Sequence, residues 1–224
     1  MTTRQHNFAP HEYYHIYNRG TEKRNIFLDG ADYERFIELL YLSNSQYAVD
    51  IRHVRRTHSS VYEYFRDNPL VYVGAYCLMP NHFHILLSPA VDHGVEKFML
   101  KLGTGYSMYF NKRYERTGNL FQGKFKSQHA DNDEYLKYLF SYIHLNPVKL
   151  IQSDWKDVGI RDINGAKKYL DEYRHSSLHD YFGRREESKI IDKNKFPEYF
   201  INKHEVDTEL IEWLSYKEFQ TPTS

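Results

Sequence analysis

Apolar residues recur along this chain in two periods, and the switches between them mark out the elements. Residues 13–17 (YYHIY) are aromatic or β-branched and end at Asn18-Arg19-Gly20, which predicts a strand followed by a turn. Phe36, Ile37, Leu39, Leu40 and Leu42 fall on one side of a helix over about 31–45, with Asp32 as its expected cap. Residues 46–70 are polar and basic and carry no clear period. From Val71 to Met79 the chain is apolar throughout, Pro80-Asn81 interrupts it, and His82-Phe83-His84-Ile85-Leu86-Leu87 follows at once, the pattern of two strands in a hairpin. Phe98, Leu102, Tyr106, Tyr109 and Phe110 then recur every three or four residues within 95–114 and predict a second helix against a sheet. Residues 120–126 (LFQGKFK) alternate loosely and are read as a fourth strand or extended segment. Asp131 or Asn132 caps a third helix that Asn146-Pro147-Val148 ends.

The order β-α-β-β-α-β-α is that of an α+β protein with a ferredoxin-like (RRM-like) antiparallel sheet and helices on one face, to which the last helix is added. Beyond about 155 sheet-like runs stop, while DINGAKKYLDEY and EVDTELIEWLSYKEF have helical spacing. The expected organisation is a domain over 1–155 and a helical C-terminal extension over 156–224. A chain of 224 residues supports one sizeable core or a core with an appendage.

Composition narrows the chemistry. Thirty Lys and Arg balance thirty Asp and Glu, so any polyanionic partner has to be met by local charge. Between Lys97 and Lys126 seven basic residues face one acid, Glu115, a balance of +6, interleaved with Tyr106, Tyr109, Phe110, Tyr114, Phe121 and Phe125. Cations for phosphates beside aromatic faces for bases suit single-stranded nucleic acid. Arg19, Lys112, Arg113, Lys124 and Lys126 are the candidate DNA contacts. Cys77 is the only cysteine, which excludes an internal disulfide and a cysteine-based zinc cluster. The N-terminus lacks a signal-peptide core, and no apolar run approaches the ~20 residues of a membrane span, so the expected location is the cytoplasm, on the nucleoid when DNA is bound.

Two side chains separated by one residue in a strand share a face, so His82 and His84 together form half of a metal site. Tyr142 and Asn146, four apart on a helix, share a face one turn from each other. Two imidazole nitrogens and a neutral amide oxygen leave positions open for phosphate oxygens and water, which suits Mg²⁺ or Mn²⁺ more than a closed zinc site. Tyr142 is then the candidate nucleophile, a phenol that is weak until its proton is removed. Taken singly, each residue has an ordinary structural explanation, and Tyr135 and Tyr138 on the same helix are ordinary core or rim aromatics. The combination carries the argument.

MPNHFHILL at 79–87 resembles the HUH motif (His, bulky apolar, His) of single-tyrosine transposases, and YIHLNPVK at 142–149 resembles the block that bears their tyrosine. HIYNRGTEKRNIF at 15–27, LFQGKFKS at 120–127 and, more weakly, YRHSSLHDYFG at 173–183 extend the likeness. It is nearest the REP-associated tyrosine transposases of the insertion sequence 200-like group and spans roughly residues 10–183. The resemblance implies metal ligation by His82, His84 and Asn146 and nucleophilic attack by Tyr142. It further implies cleavage and rejoining of single-stranded DNA beside a hairpin through a 5′-phosphotyrosine. No nucleotide cofactor is implied, and no GxxxxGK loop is present. Relatives work as dimers or as monomers, so oligomeric state stays open. Two alternatives compete. A two-histidine phosphoesterase would need a further His-x-Ser/Thr, which only THSS at 57–60 offers; a non-catalytic ferredoxin-like binding module would use sheet aromatics to stack bases and need neither metal nor Tyr142.

Overall fold

A computed structural model describes residues 8–66, 68–183 and 185–198, with Thr208 and Glu212 beyond them. The elements run β1 (Tyr13–Arg19), α1 (Gly30–Leu42), α2 (Ile51–Thr57), β2 (Val71–Met79), β3 (His82–Pro89), α3 (Gly94–Arg113), β4 (Lys126–Ala130), α4 (Asp133–Leu145), α5 (Trp155–Val158) and α6 (Ile163–Glu172). The four strands form one antiparallel sheet in the order β2-β3-β1-β4, the ferredoxin-like arrangement that the element order predicts.

β3 is apolar at nearly every position because both of its faces are covered. Phe83 points into the layer of α1 and α3, where its ring meets Phe36 at 5.0 Å and Phe121 at 5.8 Å. His84 points the other way, toward α4. The two crossover helices α1 and α3 pack on one face as expected, and α4 lies across the opposite one. Leu136, Leu139, Phe140 and Ile143, spaced one turn apart, are the buried stripe of α4. Each such side chain contributes about 1.5–3 kcal/mol on burial, so this short helix is held by the sheet rather than by its own propensity.

Two elements depart from expectation. The cap of α1 is Asp29, whose side chain accepts from Asp32 N; Asp32 is buried in the first turn, where it accepts from Leu28 N, Tyr109 and Tyr114 and pairs with Arg113. The fourth strand begins at Lys126 rather than at Leu120. Residues 120–125 are an irregular segment whose backbone serves the β1 turn: Thr21 N donates to Leu120 O and Gln122 N to Arg19 O. The aromatic spacing of LFQGKF reflects packing against α3 and β3, and β4 itself is a polar edge strand.

Among the described residues from 155 to 198, α-helix is confined to α5 and α6. Residues 173–196 then form a strap of short 3₁₀ turns along the β2 edge. Leu78 N donates to His175 O, Ser177 N to Tyr76 O and Asp192 N to Val73 O. An exposed sheet edge is thereby closed. At Gly74, where β2 carries a bulge, a Cβ would stand 2.6 Å from the Phe196 ring, so only glycine admits the strap's last aromatic. Of the second predicted helix of this region, residues 205–219, only Thr208 and Glu212 are among the described residues, and both are helical.

Candidate active site

The site is assembled around the two-residue turn between β2 and β3. Pro80 O accepts from Ile26 N and Phe27 N, Gly20 N donates to Asn81 O, and Asn81 Nδ2 donates to Lys23 O. The loop after β1 therefore wraps the turn that launches His82, and the 118–125 segment holds that loop from outside. Three separate stretches of sequence thus form one support.

Asn81 Oδ1 lies 2.6 Å from His82 Nδ1. Because the Asn81 amide nitrogen is spent on Lys23, its oxygen faces the ring, which assigns the His82 proton to Nδ1 and leaves Nε2 unprotonated. Burial pushes the His82 pKa down to about 4, and the cations of Lys149 and Arg19 push in the same direction. A neutral imidazole at pH 7 is the form that binds a cation. His84 is buried, and its Nδ1 is 2.8 Å from His15 Nε2, with the two rings stacked 5.0 Å apart.

Tyr142 projects from α4 onto this histidine face. Its ring lies edge-on at 5.7 Å from His84 and 6.1 Å from His15. Burial raises the pKa of its phenol, and the neighbouring Asn146 amide draws it partly back. Tyr138 and Tyr135 stack in sequence behind it, at 5.7 Å and 6.0 Å, and burial raises both of their phenols. Neither ring adjoins the histidines as that of Tyr142 does.

Asn146 ends α4 with 1% of its surface exposed. Its Nδ2 donates to Tyr142 O at 2.9 Å, whereas the buried Oδ1 meets no hydrogen-bond partner. A buried amide oxygen left unpaired costs about 1–3 kcal/mol, a cost that a ligand at that oxygen would remove. The residues therefore fit a divalent cation held by two imidazoles and one amide oxygen. Among the described residues no three His, Cys, Asp or Glu side chains converge as a metal cluster.

The candidate DNA contacts separate into two groups. Arg19 stands opposite His82 in the β1–β3 register, Lys126 stands opposite Tyr17 with Nζ 6.0 Å from its ring, and Lys124 is exposed just before β4. Arg19 and Lys126 share the histidine face, whereas Lys124 lines a groove with Leu100, Thr104 and Ser107 of α3. Lys112 and Arg113 close α3, in the layer on the other side of the sheet. Arg113 is committed to Asp29 at 2.6 Å and Asp32 at 3.0 Å. Sequence reasoning passed over His15, Asn81 and Lys149. Asn81 and Lys149 lie inside the two core motifs and His15 opens the block at 15–27, but its meeting with His84 arises only through the pairing of β1 with β3.

Residues 41–146, the stretch that holds His82, His84, Tyr142 and Asn146, match the family described as transposase IS200 like. No curated protein matches the sequence. Among solved structures, that of a REP-associated tyrosine transposase bound to a REP hairpin superposes with a TM-score of 0.52 at 14% identity, over 91% of this chain and 93% of that chain. At that identity the likeness establishes a common fold, and no helix among the described residues is long and apolar enough to cross a membrane.

Proposed function

We propose, from the IS200-like transposase match over residues 41–146, that this protein cleaves and rejoins single-stranded DNA beside a hairpin, with Tyr142 as nucleophile. The observation that carries the reading is the meeting of Tyr142 with the two-histidine face, next to a buried Asn146 oxygen that lacks a partner. The likeness in fold to a hairpin-bound transposase supports the same substrate class.

In this reaction Tyr142 Oη attacks the scissile phosphorus as the P–O3′ bond breaks. A 5′-phosphotyrosine forms, and the departing strand takes a proton as a free 3′-hydroxyl. A second 3′-hydroxyl reverses the step and joins strands without nucleotide hydrolysis, since the phosphodiester energy is kept in the covalent link. His82, His84 and Asn146 would hold Mg²⁺ or Mn²⁺, which when bound polarises the phosphate and offsets charge in the transition state. Arg19 and Lys149, whose charges already reach His82, are placed to neutralise the phosphate, and Lys126, on the same face of the sheet, to extend that contact along the strand. The raised Tyr142 phenol keeps its proton near neutrality until substrate and cation are in place.

The test incubates wild type and Tyr142→Phe with end-labelled hairpins bearing single-stranded flanks, with and without Mn²⁺. A metal-dependent label that stays on the protein through denaturing electrophoresis, absent from Tyr142→Phe, is expected. Tight, metal-independent hairpin binding with no covalent product in either protein would support the non-catalytic binding module instead.

A further inference from the structure

We infer that His15 is a positioning residue that fixes the tautomer of His84; the inference rests on the metal-binding reading above. Both histidines of the His-x-His pair use the same ring nitrogen for a protein partner. His82 Nδ1 is 2.6 Å from Asn81 Oδ1, and His84 Nδ1 is 2.8 Å from His15 Nε2. For His82 the partner is an amide oxygen, which can only accept, so the proton sits on Nδ1 and Nε2 is the nitrogen left to bind. His84 has an imidazole partner, so two arrangements are open: His84 Nδ1–H donating to His15 Nε2, or the reverse. Only the first leaves His84 with an unprotonated Nε2, matching His82. The second puts a proton on the nitrogen that would meet the cation.

His15 is held firmly beside His84. It is 5% exposed, its ring stacks on His84, tilts against Tyr17 at 5.0 Å and meets the Tyr142 edge. It comes from β1, two residues before Tyr17, the register partner of His84, so the two imidazoles lie diagonally on one face of the sheet. An outer hydrogen bond of this kind orients a ligating histidine and fixes its tautomer, and its loss commonly costs 10–100-fold in metal affinity.

The experiment uses the full chain and two readouts. Long-range ¹H–¹⁵N correlation spectra of the histidine rings should show His84 protonated on Nδ1 in the metal-free wild type and in His15→Gln, whose side-chain oxygen can accept the same bond. In His15→Leu the Nδ1–H form should give way to a mixture. Mn²⁺ titration followed by electron paramagnetic resonance should weaken by 10–100-fold in His15→Leu and by no more than about threefold in His15→Gln. His84→Ala serves as the reference for a lost ligand. A wild-type spectrum with His84 protonated on Nε2 overturns the inference, and so does Mn²⁺ binding that His84→Ala loses but folded His15→Leu keeps. A wild type that binds no Mn²⁺ overturns the metal reading and this inference together. Should His15→Leu fail to fold, the wild-type spectrum and His15→Gln still decide.

Discussion

Ser177→Ala probes how the C-terminal strap holds the helix that carries Tyr142. Ser177 is fully buried. Its Oγ accepts from Tyr76 N at 2.8 Å and hydrogen bonds with His144 Nε2 at 2.8 Å, so one hydroxyl joins the strap, the β2 edge and α4. Removing it leaves a backbone N–H and an imidazole nitrogen without partners in a dry interior. Each orphaned group costs about 1–3 kcal/mol, giving a loss of roughly 2–6 kcal/mol. For a protein of this size each kcal/mol lowers the melting temperature by about 2–4 °C, so the expected drop is about 4–24 °C. Scanning calorimetry measures it, with the exposed Thr117→Ala as a control expected to stay within about 0.5 kcal/mol. Because His144 is two residues from Tyr142, covalent product should fall further than hairpin binding does. A Ser177→Ala protein as stable as the control would refute the idea that the strap holds α4 through this bond.

Acid should destabilise the protein through its buried histidines. Burial holds His144 down to about 3, against 6.5 for the unfolded chain, so the unfolded state gains the proton first; stability is full above about 6.5 and falls by about 1.4 kcal/mol per pH unit from this residue alone as pH drops toward 3. Urea titrations between pH 7.5 and 4.5 check it, and a flat profile would contradict it. Lys124→Ala with Lys126→Ala should reduce the salt slope of single-strand binding by about 1.4, whereas Arg113→Ala, which breaks the pairs with Asp29 and Asp32, should lower the melting temperature and leave the slope alone. An equal change of slope in Arg113→Ala would return that residue to the DNA surface. Gly74→Ala should displace Phe196 and speed hydrogen exchange at Asp192 N, which bonds Val73 O beside the bulge; unchanged exchange would mean the strap tolerates the Cβ.

Local features of the fold could be read from the sequence because their signals are local. The β2–β3 hairpin declares itself by two apolar runs around Pro-Asn, and α3 and α4 by their helical stripes. The shared face of His82 and His84 follows from strand geometry alone. Features set by distant contacts could not be read. LFQGKF has a strand-like look because Phe121 packs on Tyr106 of α3 and Phe83 of β3, yet its backbone bonds go to the β1 turn, while the polar KSQHA supplies the strand by pairing with β1. Arg113 carries the same charge as Lys124, and only the fold reveals that Asp29 and Asp32 claim it. His15 and His84 are 69 residues apart in sequence and become neighbours only when β1 pairs with β3. The strap is legible afterwards: Ser177 and Asp180 are polar because their partners are the backbone of β2 and the hydroxyl of Tyr76, which donates to Asp180 at 2.6 Å.

The central claim is that Tyr142 becomes covalently joined to DNA, and peptide mapping of the trapped product addresses it most directly. Wild-type protein incubated with hairpin DNA and Mn²⁺, then digested with nuclease and protease, should yield a nucleotide adduct on the peptide containing Tyr142 and localised by fragmentation to that residue. An adduct on Tyr138 or Tyr135 would contradict the assignment of the nucleophile, and cleaved DNA with no adduct on any tyrosine would contradict the phosphotyrosine mechanism itself.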